Sequence, residues 1–213
     1  MAKIQGPKRF RGETKVPGDK SITHRALILA ALSEGEGRII GSSPGDDNLR
    51  TLEALRLLGV EFEREEANLT IAGRGLKGLK EPDQVIDAGN SGTTMRLLTG
   101  LLAGQPFFSI LTGDESLRKR PMGRVVEPLR RMGARIYGRA GGRLAPLAID
   151  GHPLKGISYK MNVPSAQVKS ALLLAGLMAE GETEIYEPVP CRDHTERLLS
   201  YLGADFSQEG GRL

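Results

Sequence analysis

Three stretches of this chain repeat one pattern of polar and apolar positions. They are "DKSITHRALILAALSEGEGRII", "NSGTTMRLLTGLLAGQPFFSIL" and "PSAQVKSALLLAGLMAEGETEI". Each opens with small polar and cationic residues and continues as an apolar helical run. Each then passes Gly35, Gly104 or Gly181 into a short β-like segment. A second helix is predicted after each, in "DDNLRTLEALRLLGVEFE", "MGRVVEPLRRMGARIYG" and "DHTERLLSYLGADFSQ". These end at Gly59, Gly133 and Gly203, spaced 74 and 70 residues apart. Glycine just past an apolar helical pattern is a C-cap signal. Alternating strands follow in "VEFE", "ARIYG" and "ADFS", and the first two copies add a hairpin partner, "NLTIAG" and "RLAPLAIDG".

The predicted unit is therefore strand–helix–strand–helix–strand–strand, three times over, an α/β (α+β) fold with parallel helices. The third copy stops at Leu213, where its hairpin partner should begin. The expectation is a fragment, or a chain completed by another polypeptide. Right-handed crossovers would set the repeated helices in parallel. Their first turns would then share one surface, each exposing unpaired N–H groups suited to an anion.

Composition narrows the ligand. The chain has 213 residues, a net charge of +4, 4% aromatics and no tryptophan. So few aromatics argue against single-stranded nucleic acid held by base stacking. One cysteine, Cys191, rules out an internal disulfide and fits a reducing compartment. The apolar runs are too short for a bilayer span and the N-terminus lacks an apolar signal core. A cytoplasmic protein without membrane association is expected.

Several stretches carry candidate chemistry, each with a competing structural reading. "GDKSITHR" crowds Lys20, Ser21, His24 and Arg25 at a helix start, where acids are electrostatically preferred. A bound anion explains this; solvated basic residues are the alternative. "DAGNSGTTMR" places Gly89, Asn90, Gly92 and Thr93 before a helix, as a ligand cradle or as an ordinary cap built on Asn90 or Ser91. "GDESLRKRPMGR" groups Arg118, Lys119, Arg120 and Arg124 around Pro121, as anion ligands or a solvated face. "VPSAQVKS" offers Ser165, Gln167 and Lys169, although serine is also a common cap, and "CRDHTER" offers Arg192 with Asp193 as the N-cap. "GRGLKG" (73–78) is a turn rather than a dinucleotide site, because Glu81-Pro82 stands where the helix is required. The three histidines show no metal spacing.

"PGDKSITHRALILAAL", "DAGNSGTTMRLL", "RPMGRVVEPLRRMGA", "VPSAQVKSALLLAGL" and "CRDHTERLL" resemble, in order, the enolpyruvyl transferases. Within them they are most similar to the EPSP synthases (3-phosphoshikimate 1-carboxyvinyltransferases). The sister UDP-N-acetylglucosamine enolpyruvyl transferases differ where this chain reads Lys20-Ser21, and they stay as the alternative beside a non-catalytic anion-binding half-domain.

The resemblance implies one domain of three βαβαββ units over residues 16–213. Residues 1–15 are implied to help build a second domain, carried with the carboxylate acid/base residues by a missing C-terminal half. It implies transfer of the enolpyruvyl group of phosphoenolpyruvate to the 5-hydroxyl of shikimate 3-phosphate, with release of phosphate. No metal or cofactor is implied, and the completed enzyme is expected to be monomeric. By position, Lys20 resembles the lysine that meets both substrates, and Arg120 the arginine that grips phosphoenolpyruvate. Ser21, Arg25, Ser165, Ala166 and Gln167 resemble shikimate 3-phosphate ligands, with Arg192 and His194 offered from the last turn. Gly92, with Asn90 and Thr93, resembles the wall against phosphoenolpyruvate and against the inhibitor glyphosate. Ala166 and Cys191 stand where serine is more usual.

Overall fold

The computed structural model describes Lys3, Gly6 and residues 11–213. The expectation for 1–15 falls largely outside the described residues, and 11–19 form no regular element. Helix α1 (Lys20–Leu32) leads through β1 (Glu34–Ile39) to α2 (Asp46–Leu57) and the hairpin β2 (Glu61–Glu65) and β3 (Asn68–Arg74). The next stretch runs β4 (Ile86–Asp87), α3 (Gly92–Ala103), β5 (Phe108–Thr112) and α4 (Gly123–Arg131). It ends with β6 (Arg135–Gly138), the distorted single turn α5 (Arg139–Gly142) and β7 (Leu144–Asp150). The last runs β8 (Leu154–Lys155), β9 (Ser158–Lys160), α6 (Ala166–Gly176), β10 (Ala179–Glu180), β11 (Glu184–Tyr186) and α7 (His194–Tyr201).

The first two sheets follow the alternation in the sequence, whereas the third predicted strand, "ADFS" (204–207), forms no strand. Strand β3 pairs antiparallel with both β1 and β2. In the second sheet β7 pairs antiparallel with both β5 and β6, while β4 lies parallel to β5. Ala145, Leu147 and Ile149 of β7 are buried and alternate with more exposed neighbours, the period of a half-buried strand. In the third region β9 lies parallel to β11, and β8 to β10. Ile185 and Leu213 exchange both backbone hydrogen bonds, at 2.9 and 3.0 Å. The chain's final residues thus begin to lie beside β11 as β7 lies beside β5.

The glycine-terminated helices have one physical cause. Gly59, Gly133 and Gly203 adopt φ of 83°, 97° and 73°, which side-chain-bearing residues avoid. At each, the glycine N–H and the next residue's N–H turn back onto helix carbonyls. Val60 donates to Leu55, Ala134 to Leu129 and Ala204 to Leu199, each at 3.0 Å. This is the Schellman arrangement, and it satisfies carbonyls that a helix end leaves orphaned.

The core sits between the helices and sheets. Helices α1, α3 and α6 are buried on nearly every side, so their sequences are apolar throughout rather than striped. In α1 the buried apolar residues run from Leu27 through Leu32 without a break, wider than a single stripe. Helices α3 and α6 pack closely where Gly100 meets the Ala171 backbone.

Candidate functional site

The first turns of α1, α2, α3, α6 and α7 meet at one end of the molecule, held by side chains near their N-termini. Between α1 and α2, Asn48 Nδ2 donates to the Lys20 carbonyl at 2.9 Å. Between α2 and α3, Thr94 Oγ1 donates to the Asp47 carbonyl at 3.2 Å. Gln167 of α6 donates to Thr93 Oγ1 of α3 at 2.9 Å. Arg25 of α1 donates to the Ala166 carbonyl at 3.2 Å and to Thr195 Oγ1 of α7 at 2.8 Å. Side-chain caps are supplied by Asp19, Ser91 and Ser165, which accept from Ile22, Thr94 and Val168. Asp193 occupies the N-cap position of α7 without a side-chain bond.

The candidate residues divide by what they already touch. Lys20 is exposed, and its ammonium pairs with Asp47 of α2 at 3.0 Å. Arg25 is buried and spans α1, α6 and α7, bonding Ser170, Thr195 and the Ser21 and Ala166 carbonyls. The unfavourable charge expected at the start of α1 is therefore met partly inside the protein. Neither residue requires an external anion to explain its place. Ser21 Oγ accepts from Arg192 at 3.1 Å, which brings two predicted ligands together across 171 residues. Ser165 acts as the ordinary cap that competed with its functional reading. His194 is half-buried at the start of α7, and its Nδ1 has no partner among the described residues. Cys191 has its thiol pushed up to about 11, by burial and then by Glu187, a poor setting for a nucleophile.

The other side of the face is built around Gly92, the first residue of α3. Arg120 follows a 3-10 turn (Leu117–Lys119), and Pro121 precedes α4 rather than entering its first turn. The Arg120 guanidinium donates to the Asn90 carbonyl at 3.2 Å and to the Asn90 side chain, whose amide donates to Asp114 at 2.6 Å. A Cβ on Gly92 would meet Arg96 Nη1 at 2.6 Å and Arg120 Nη1 at 3.4 Å. Two guanidinium groups thus stand over one helix N-terminus. Burial lowers the Arg96 pKa, and the charges of Arg120 and Arg124 lower it further, so the cations repel across this spot.

Arg96 escaped attention in the sequence. It lies one turn beyond Gly92 in "DAGNSGTTMR", and helical side chains lean back over the preceding turn. That lean, applied to Gly92, was the available signal. Arg96 also donates to Gln167 at 2.9 Å, joining the two halves of the face.

A buried relay supports the same end. His24 Nδ1 meets Thr51 Oγ1 at 2.7 Å, and Thr51 meets Thr94 Oγ1 at 2.7 Å. His24 is fully buried, and its Nε2 has no partner among the described residues. Burial depresses its pKa to about 4, outweighing the opposing charge of Asp47. An unfolded histidine titrates near 6.5, so between about 4 and 6.5 the unfolded chain binds the extra proton. Stability from neutral His24 is complete above pH 6.5 and is lost as pH falls towards 4, a span of about 3 kcal/mol. Urea denaturation at pH 7.5 and 4.5 checks this: His24→Gln should flatten the fall, and an unchanged fall would contradict it.

Comparison with known proteins gives consistent matches. The family model described as EPSP synthase (3-phosphoshikimate 1-carboxyvinyltransferase) matches residues 4–213. A 3-phosphoshikimate 1-carboxyvinyltransferase of Syntrophotalea carbinolica is 62% identical over 205 residues, covering 95% of this chain and 48% of the relative. One from Thermus thermophilus is 58% identical over 205 residues, covering 96% of this chain and 48% of the relative. A solved structure of EPSP synthase from Acinetobacter baumannii superposes with a TM-score of 0.92 at 49% identity, covering 97% of this chain and 47% of that one. The chain spans about half the length of the curated relatives it matches.

Proposed function

The chain belongs to the EPSP synthase family, and from that premise we propose that it supplies one substrate-binding half of an enolpyruvyl transferase. The reaction moves the enolpyruvyl group of phosphoenolpyruvate onto the 5-hydroxyl of shikimate 3-phosphate. Addition forms a tetrahedral intermediate, and its breakdown expels inorganic phosphate. Both substrates are polyanions, and the observation that carries the reading is the pair of guanidiniums over the first turn of α3. Arg96 and Arg120 repel one another there unless an anion lies between them. The neighbouring N–H groups of α1 and α6 add dipolar attraction of about 0.3–1 kcal/mol each.

In this reading Arg120, with Arg96, grips phosphoenolpyruvate against Gly92, with Asn90 and Thr93 fixing the wall. Lys20 is the cation that reaches both substrates, its ammonium held by Asp47 meanwhile. Ser21, Arg192, Ser165, the Ala166 N–H and Gln167 receive shikimate 3-phosphate. Arg25 acts from below by holding the Ser21 and Ala166 carbonyls. The carboxylate acid and base come from the complementary half, so the 213-residue chain alone binds substrate without turning it over. No metal or organic cofactor enters the scheme. The completed enzyme is proposed to be a cytoplasmic monomer.

The test is phosphate release from the two substrates. The chain alone should release none, and mixing it with the remaining sequence of a full-length relative should restore turnover. Family-like turnover by the chain alone, or a folded mixture that neither binds nor turns over substrate, would refute the proposal.

Gly92→Ala offers a second check on the completed enzyme. The added methyl meets only the mobile ends of Arg96 and Arg120, so the fold should tolerate it. The displaced guanidinium loses a charge-assisted contact of about 1.5–3 kcal/mol, which should raise KM for phosphoenolpyruvate at least tenfold. The same methyl should weaken glyphosate inhibition; unchanged KM and unchanged inhibition would contradict the packing argument.

A further inference from the structure

A buried group of charges under the α1–α6–α7 junction has no part in the scheme above. Lys169, one turn into α6, is 1% exposed. Its ammonium bonds Glu187 at 2.9 Å and contacts Glu196 of α7, and both carboxylates are buried. The other oxygen of Glu187 accepts the Cys191 N–H at 2.8 Å, which closes the turn Glu187–Pro188–Val189–Pro190–Cys191. Pro188 and Pro190 bring no N–H donors of their own. One ammonium therefore anchors the 187–196 stretch at both ends. Between the anchors stands Arg192, exposed, with its guanidinium on Ser21 Oγ at 3.1 Å.

An ion group so fully buried is hard to justify by stability, since apolar residues of similar volume often serve as well. What the group adds is a fixed location for the segment it ties down. We propose that Lys169 is a positioning residue. Through Glu187 and Glu196 it sets the path from which Arg192 reaches Ser21, and so sets affinity at the phosphate subsite. The inference rests on the reading of Arg192 and Ser21 as ligands of shikimate 3-phosphate.

Lys169→Met alone strands two buried carboxylates and endangers folding. The working variant is Lys169→Met/Glu196→Gln, which removes one charge of each sign. With shikimate 3-phosphate as probe, calorimetry on the full chain should show about a tenfold loss of affinity for this variant, and a similar loss for Arg192→Ala. Combining all three changes should cost no more than Arg192→Ala by itself, because residues acting through one contact are not additive. Losses that multiply, or no loss in the first variant, would overturn the proposal.

Glu187→Gln keeps the Lys169–Glu196 pair, but one amide oxygen cannot stand in both places where the carboxylate meets Lys169 and the Cys191 N–H, so the tie from Lys169 to the turn is broken. This variant provides a readout that needs no ligand, the Nε–H resonance of Arg192. That resonance should move in Glu187→Gln and in the double variant; an unmoved signal in both overturns the positioning role. If the unaltered chain fails to bind shikimate 3-phosphate, the substrate reading fails and the resonance still decides the inference.

Discussion

Gly100→Val will leave the chain without a cooperative urea transition at 25 °C, or with one weakened by more than about 3 kcal/mol. Gly100 lies in the middle of α3, fully enclosed, at its closest approach to α6. A Cβ there would fall inside contact with the Ala171 carbonyl, and only 2.7 Å from the Ala171 Cα. The obstruction is backbone, which cannot turn aside as a side chain would. The two helices must separate, and their first turns carry Gly92, Thr93, Ala166 and Gln167. Helix propensity acts the other way, since alanine in place of glycine gains about 0.8–1 kcal/mol. Overpacking of about 1–3 kcal/mol, occasionally more, outweighs it. Gly100→Ala should therefore also destabilise, by less than Val. A Gly100→Ala variant as stable as the parent would show that the α3–α6 approach is looser than described.

Arg120→Met should lower kcat/KM of the completed enzyme roughly 100- to 1,000-fold, the range expected for removing one donor to developing negative charge. Fold stability should change by no more than about 0.5 kcal/mol, because the side chain is half-exposed and spends its contacts on a surface asparagine. Arg120→Lys should recover only part of the loss. A lysine cannot hold the Asn90 carbonyl and side chain together while facing a carboxylate or phosphate with a planar fork. The loss should fall mainly on phosphoenolpyruvate, since shikimate 3-phosphate is assigned to Ser21, Arg192 and the α6 turn. Kinetics within threefold of the parent, or a loss confined to shikimate 3-phosphate, would contradict the assignment.

What could be read from the sequence was whatever local chemistry dictates. The second helices end at Gly59, Gly133 and Gly203 because their caps need positive φ, and glycine announces that need. The start of α1 stood out because cations stand where a helix dipole favours acids. Long-range pairing carried no such mark. Lys20 finds Asp47 across 27 residues, and Arg25 finds Thr195 across 170, so their internal roles were invisible. Arg96 leans over Gly92 within "DAGNSGTTMR", which is local, but the Arg120 that faces it arrives from another loop. Lys169 was noted at a helix start, but its two carboxylates come from β11's exit and from α7. Nor could the sequence show that Leu213 already pairs with Ile185, since that needs the position of β11.

The central claim is that several helix mouths form one receiving face for polyanionic substrates. Titrating the isotope-labelled chain with shikimate 3-phosphate while following backbone amides tests it most directly. The account predicts that amides of Ser21, Ala166, Gln167 and Arg192 shift together along one saturation curve. Shifts confined to the β1–β3–β2 sheet or the α4–α5 surface, with those four unmoved at saturation, would contradict it.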